Sequence, residues 1–250
     1  MSNQSTGSDA PVNGNIDLSP LLLNNWPMSY IDFGTKEVAP RNNEAVIDAY
    51  NQGFVFTRTE LGHMTRVRSL RVRLSEFLES SENRRILRKY QHTLSIAKVP
   101  YPGYNWEIHK MGKDFYDTKF GKDTFSANKI KELFTSQDTN FGSILTFVSE
   151  TGMPEGYCIV NKSISESSKI LHYAYPFYRL DLINSSFGIF MMTRTIQYCK
   201  NEGFDYIYLG SVHEPSSLYK LQFKGLEWFD EKTLTWKQDL DALKARVRGD

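Results

Sequence analysis

Apolar and polar positions change period several times along the chain, and each change predicts an element. Residues 43–52 read as a short helix that stops at Gly53, and 54–58 as the strand it feeds. From 66 to 74, Val67, Leu70, Val72 and Leu74 fall among Arg66, Arg71 and Arg73, which predicts a strand with one apolar and one basic face, broken in pattern by Ser69. Ser80 is set to cap a helix whose Ile86, Leu87 and Tyr90 turn inward, with Arg84 one turn from Arg88 and Arg85 one turn from Lys89. Residues 100–121 mix Pro, Gly and aromatics without a clean period, and they read as an irregular crossing between two halves, with a boundary near Tyr104. The second half is more regular: a helix over 128–134, then strands over 143–149, 156–164 and 169–175 joined by Gly- or Ser-rich turns as an antiparallel meander. A helix over 188–202 ends at Gly203, a strand follows at 206–209, a second helix over 216–224 closes on Gly225, and 226–229 form a last strand.

Three antiparallel strands, a helix, a strand, a helix and a last strand make an order that resembles the acyltransferase fold of the GCN5-related N-acetyltransferases (GNAT). The expected class is α+β: a GNAT-like acyltransferase sheet with helices on both faces, preceded by a smaller N-terminal α/β subdomain. The corresponding division is a disordered leader over 1–20, a basic N-terminal subdomain over 21–104 and the transferase domain over 105–250. The resemblance implies a wedge where two central strands splay, here between the strand ending at Tyr175 and the strand ending at Leu209. Fold alone chooses neither donor nor acceptor.

Composition narrows the partners. With 250 residues, 40% hydrophobic and 14% aromatic, the chain can bury a large core. A formal charge of +1 excludes a protein coated in positive charge, so any nucleic-acid contact needs a local basic patch. One such patch runs from Arg58 to Lys89, with eight arginines to one lysine, a bias toward guanidinium groups that fork onto phosphate oxygens. Two cysteines, Cys158 and Cys199, exclude a disulfide framework and a CxxC metal site, and they read as buried thiols. The first 20 residues are polar and hold no run fit for a signal peptide or membrane span, so a cytoplasmic protein without membrane contact, acting as a monomer, is expected. The five histidines show no metal spacing, and no metal or cofactor is expected.

At the start of the central helix, where coenzyme A-dependent acetyltransferases carry a Gly-rich pyrophosphate loop, this chain has Asn184, Ser185, Ser186, Phe187 and Gly188. The coenzyme A signature is absent, although Ser186 and Gly188 can still offer N–H groups to a phosphate or an oxyanion. Two strings carry a more specific resemblance. Ser80, Ser81, Glu82, Asn83, Arg84 and Arg85, followed by Leu87 and Arg88, resembles the Ser-x-Ser-Gln-Arg-Arg string of arginyl-tRNA-protein transferases and their bacterial leucyl-transferring relatives. Tyr206, Tyr208, Leu209 and Gly210, then Tyr219, Lys220, Phe223 and Glu227, resembles their Tyr-Leu-Gly and Tyr-Lys-x-x-Phe-x-x-x-Glu pattern. The chain departs from that family in three ways. Met64 and Val67 stand where members carry an N-terminal cysteine pair, so no iron or zinc site is inherited; Tyr175 and Pro176 replace Asp-Pro; and the loop from Gly210 to Tyr219 is shorter.

What the resemblance implies is aminolysis of an aminoacyl ester: arginine or leucine passes from charged tRNA to a protein or peptide N-terminus, typically one beginning with an acidic residue. Lys220 and Tyr219 are the implied catalytic residues, with His213 and Glu214 just beyond the strand end as further candidates. Arg71, Arg73, Arg84, Arg85 and Arg88 are the candidates for tRNA. Tyr175, Ser186, Gly188, Gly210 and Phe223 would line the wedge, and Arg179, Lys220 and Lys224 would supply a cationic pocket for the acceptor. Two alternatives stand beside this reading: an acyl-coenzyme A-dependent N-acyltransferase, and a non-catalytic RNA- or protein-binding module.

Overall fold

A computed structural model of the chain describes residues 32–58 and 60–249, so the expected leader over 1–20 lies outside the described residues. In chain order the elements are β1 Thr35–Glu37, α1 Asn43–Asn51, β2 Phe54–Phe56, β3 His63–Arg66, β4 Ser69–Arg73, α2 Ser81–Lys89, β5 Thr93–Lys98, α3 Trp106–Phe120, α4 Ala127–Thr135, β6 Ser143–Val148, β7 Pro154–Ile164, β8 Lys169–Tyr178, α5 Phe187–Asn201, β9 Tyr206–Ser211, a 3-10 helix Pro215–Gln222, β10 Leu226–Asp230, β11 Thr235–Lys237 and α6 Leu240–Gly249. They build a three-stranded sheet, β1-β3-β2, and an eight-stranded mixed sheet, β11-β10-β4-β9-β8-β7-β6-β5, in which β8 and β9 run parallel.

Helices cover both faces of the large sheet, as expected. Successive strand residues point to opposite faces, and Phe177 meets Phe134 of α4 while its neighbour Tyr178 meets Phe187 of α5. The core between these layers is aromatic and continuous, with Phe134, Phe141, Phe147, Phe177 and Phe187 fully buried. The division at Tyr104 is not a break in this sheet: β4 pairs with β9 and β10, and β5 pairs with β6. Among the described residues, no helix is long and apolar enough to cross a membrane.

Three expectations are corrected. The strand over 66–74 is two strands: Arg66 ends β3 in the small sheet, the Ser69 amide turns back onto the Val67 carbonyl, and its hydroxyl donates to the Gly53 carbonyl at 3.1 Å, so β4 starts in the other sheet. Residues 100–121 contain the 15-residue helix α3, capped by Asn105 and buried along Ile108, Gly112, Phe115 and Tyr116, a helical stripe. Gly112 sits there because α3 and α4 cross closely; a methyl group on it would stand 2.8 Å from Ile130 Cδ1. Finally, the helix expected over 216–224 is a 3-10 helix with Pro215 in its first turn.

Candidate active site

The parallel pairing of β8 and β9 extends over Ile170↔Tyr206, Leu171↔Ile207 and His172↔Tyr208 only. Beyond it β8 stays with β7 as far as Tyr178, whereas β9 runs on to Ser211, which pairs with Ser69 of β4. The two strands therefore diverge, and a wedge opens between β8 and β9, where the fold resemblance implied one. A bulge begins the divergence: Val160 faces Tyr173 and Ile159 faces Tyr175, leaving Ala174 as the extra residue. On the other wall Gly210 takes a φ of +78°, a left-handed conformation that β9 needs to turn at its end.

Lys220 folds back from the 3-10 helix over that turn, and its ammonium donates to the Ser211 carbonyl at 3.0 Å. From the other side α3 reaches the open edge of β8, where Tyr116 donates to the Pro176 carbonyl at 3.2 Å. One turn further along α3, Lys119 holds its ammonium over the rings of Phe115, Phe120 and Tyr178, at 5.3, 5.6 and 5.9 Å from their centroids. Gly188, in the first turn of α5, lies against the same Tyr178; a methyl group there would stand 3.1 Å from its hydroxyl. The amide of Phe187 is taken by the Ser185 hydroxyl at 3.2 Å, and Ser186 makes no side-chain cap.

Enclosure governs the electrostatics of the wedge. Burial pushes the phenols of Tyr116 and Tyr173 far up and that of Tyr178 to about 12, with the neighbouring Tyr219 adding to each. Tyr219 keeps 46% of its surface exposed, yet enclosure of its hydroxyl raises its pKa as well. These phenols are hydrogen-bond donors at neutral pH. Burial, with repulsion by the Lys119 charge acting in the same direction, lowers Lys220 to about 8; the Lys119 side chain is exposed overall, yet desolvation of its ammonium lowers its pKa too. His172, at the foot of the wedge, falls to about 3 through burial and the Lys220 charge, so it is neutral and bonds the Tyr50 hydroxyl through Nδ1 at 2.9 Å. Among the described residues, neither Lys119 nor Lys220 has a carboxylate within ion-pair distance. The site offers neutral donors and two uncompensated amines, which suits an ester carbonyl beside an anion.

The structure gathers part of the expected set. Lys220, Tyr219, Gly210 and Gly188 converge on the wedge, and Tyr175 borders it in a cluster with Phe125 and Phe141. His213 and Glu214 form the turn into the 3-10 helix, where the Glu214 carbonyl accepts from the Ser217 hydroxyl at 2.6 Å. Phe223 is corrected to a core residue, 3% exposed and packed on Phe77. Lys224 lies beside Gly225, whose carbonyl accepts from the Arg73 amide; this is the end of β4 remote from the Ser69–Ser211 contact, so Lys224 stands away from the wedge. Arg179 is neutralised at the far end of β8 by Asp181 and Glu155, at 2.8 and 3.1 Å.

The arginine run divides into two groups. Arg71 is buried, held by Glu227 at 2.6 Å and stacked between Tyr206 and Trp236 at 4.0 Å from each centroid, and Arg73 grips the other Glu227 oxygen at 2.5 Å. Arg71 is thereby corrected from a tRNA contact to an internal bolt, while Arg73, partly exposed, is committed to Glu227. Arg84, Arg85 and Arg88 are exposed on α2, which packs on α5; Arg85 is taken by Glu82 at 2.6 Å and Arg84 donates to the Glu79 carbonyl. Sequence reasoning missed Tyr116 and Lys119, because residues 100–121 read as irregular, and missed Tyr178, because the strand read over 169–175 stops short of it, and Tyr173 on that strand was not singled out. The helical stripe Ile108, Gly112, Phe115, Tyr116 is the signal that would have found α3 and set Lys119 on its edge. Outside the wedge, Glu37, Glu60 and His63 of the small sheet bring three potential metal-ligand atoms within 4.8 Å of one another, where His63 pairs with Glu37 at 2.6 Å.

Comparison with known proteins places these features in a family. Residues 101–230 match the family described as arginine-tRNA-protein transferase, C terminus. An aspartate/glutamate leucyltransferase of Campylobacter jejuni is 27% identical over 228 residues, covering 84% of this chain and 89% of that protein. Among solved structures, L-PGS from Bacillus licheniformis aligns over 67% of this chain with a TM-score of 0.41 and 14% identity, the chain spanning 49% of that structure. A GCN5-related glucosamine N-acetyltransferase region in a fungal multi-domain β-N-acetylglucosaminidase aligns over 74% of this chain and 21% of that structure, with a TM-score of 0.43 and 13% identity.

Proposed function

The chain belongs to the arginine-tRNA-protein transferase family, a family of aminoacyltransferases, and we propose that it transfers leucine or arginine from charged tRNA to the α-amine of a protein or peptide beginning with Asp or Glu, with the reaction in the β8–β9 wedge. The observation that carries this reading is Lys220, a family-motif lysine held at the end of β9 with no counter-ion among the described residues. Leucine is the first donor to test, because the Campylobacter relative is named for leucyl transfer to aspartate and glutamate.

In this reaction the amine nitrogen attacks the ester carbonyl, an oxyanion forms, the carbon–oxygen bond to the tRNA ribose breaks, and the proton lost by the amine ends on the departing ribose oxygen. The ester is already activated, so no ATP is consumed. An α-amine has a pKa of about 7.7 to 8.0, so much of it is neutral at physiological pH and positioning supplies most of the acceleration. The protonated phenols of the wedge are suited to the oxyanion. The exposed Arg84 and Arg88 of α2 are suited to the tRNA backbone.

The test mixes purified protein with tRNA carrying radiolabelled leucine or arginine and peptides beginning with Asp, Glu, Ala or Lys. Label entering only the Asp and Glu peptides is the expected result. No label from either tRNA, with labelled acetyl-coenzyme A consumed instead, would overturn the reading in favour of a coenzyme A-dependent acyltransferase on the same sheet.

A further inference from the structure

Two cations reach the wedge, one from each wall, and the described structure neutralises neither. Lys220 comes from the 3-10 helix after β9 and is anchored by one hydrogen bond to the Ser211 carbonyl at 3.0 Å. Lys119 comes from the last turn of α3, and its ammonium is ringed by Phe115, Phe120 and Tyr178. The contrast with other lysines of α3 is informative: Lys110 and Lys113 each pair with an aspartate one turn on, Asp114 and Asp117. Lys119 is one turn from Phe115 instead, and no carboxylate among the described residues takes its charge. Lys119 stands over Tyr178 on the β8 wall and Lys220 over the turn that ends β9, so the two cations face the wedge from opposite walls.

We infer that Lys119 and Lys220 together form the pocket for the acidic side chain of the acceptor's first residue, and that Lys119 is its specificity-determining residue. This rests on the transfer reaction proposed above. A compact carboxylate suits the surroundings: its oxygens can meet ammoniums that have no carboxylate partner among the described residues, and the exposed ring of Phe120 beside Lys119 can take the methylenes leading to it. An extended RNA backbone finds a better match in the exposed arginines of α2, whose guanidinium forks suit phosphate oxygens. Arg179, expected from the sequence to share in acceptor recognition, is excluded because Asp181 and Glu155 already satisfy it.

The test uses the full chain, leucyl-tRNA, and two peptides that differ only in beginning with Glu or with Gln. In the wild-type protein the Glu peptide is preferred. Lys119→Met is expected to raise KM for the Glu peptide about tenfold, with kcat falling far less and KM for the Gln peptide and for leucyl-tRNA little changed; Lys119→Arg restores the preference. A preference for Glu over Gln that survives Lys119→Met overturns the inference while leaving the transferase reading intact. Equal losses for both peptides and for leucyl-tRNA also overturn it, assigning Lys119 to the donor. No transfer to either peptide by the wild-type protein overturns this inference and the transferase reading together, whereas equal transfer to both overturns the inference alone.

Discussion

Arg71 and Glu227 are direct partners in the β4–β10 register, and their side chains close the pair, Arg71 Nε donating to Glu227 Oε2 at 2.6 Å. Glu227 thereby belongs to the sheet's architecture, and through its other oxygen it also fixes Arg73. Removing one partner of a buried ion pair strands the other charge. Glu227→Gln is expected to cost about 3–5 kcal/mol of unfolding free energy, measured by urea denaturation. An unmoved midpoint would mean that Arg71 is held by its aromatic stack alone.

The arginines of α2 and β4 separate in RNA binding. Arg84→Ala and Arg88→Ala are each expected to weaken tRNA binding and to lower the slope of log K against log salt by about one. Arg71→Lys, a change inside the sheet, is expected to leave that slope alone. A slope that changes with Arg71 and not with Arg88 would transfer the RNA surface to β4.

Lys220 gives the reaction an alkaline limit. Its pKa is lowered to about 8 by burial and by Lys119, so the ammonium is present below that pH and lost above it, while Tyr116, Tyr173, Tyr178 and Tyr219 around it stay protonated and His172 stays neutral. The KM for an acidic peptide is expected to rise above pH 8 in the wild-type protein and to stay level in Lys220→Arg. Wild-type turnover in Lys220→Ala would remove Lys220 from the site.

His172 makes the fold sensitive to acid. Its pKa falls from 6.5 unfolded to about 3 folded, so the unfolded chain binds the extra proton in that window. The stability contribution is whole above pH 6.5 and is lost as the pH falls toward 3, with a slope approaching about 1.4 kcal/mol per pH unit. Urea titrations from pH 7 to 4 should show this slope in the wild-type protein and a shallower one in His172→Gln. Equal slopes would mean that other groups govern the acid limb.

Gly53 stands at a point where no side chain fits. Its φ is +83°, and a methyl group on it would come within 2.3 Å of the Phe229 ring. Gly53→Ala combines a left-handed alanine with a clash against the core, and it is expected to lower stability by about 2–5 kcal/mol. A melting temperature within a degree or two of the wild type would show that β10 yields without cost.

The elements that alternate or cap cleanly were legible in the sequence. Ser80 caps α2 through a reciprocal pair with Asn83, the meander β6–β7–β8 and the helix α5 lie where the periods put them, and the wedge lies where the fold resemblance implied it. What escaped reading depends on partners distant in sequence. Gly112 looks like a helix breaker until Ile130 of α4 is known to press on it, and Arg71 looks like a surface cation until Glu227 is found opposite it. The same cause hid half of the site, since Lys119 is a loop charge in a sequence without α3 and a wedge cation in a structure with it.

β4 lies inside the large sheet between β9 and β10, and Arg71 reaches partners 137 and 156 residues further along the chain. Synthesis adds roughly 5–20 residues per second, so β4 leaves the ribosome on the order of ten seconds before either neighbour exists. For that interval the segment has neither of its strand neighbours, and the charges at 71 and 73 oppose its pairing with another chain, as charges do on any open edge. Arg71 thus begins as a guard and ends as a buried bolt, with Arg73 half-exposed beside it, and the sheet closes only when the last fifth of the chain arrives to neutralise them.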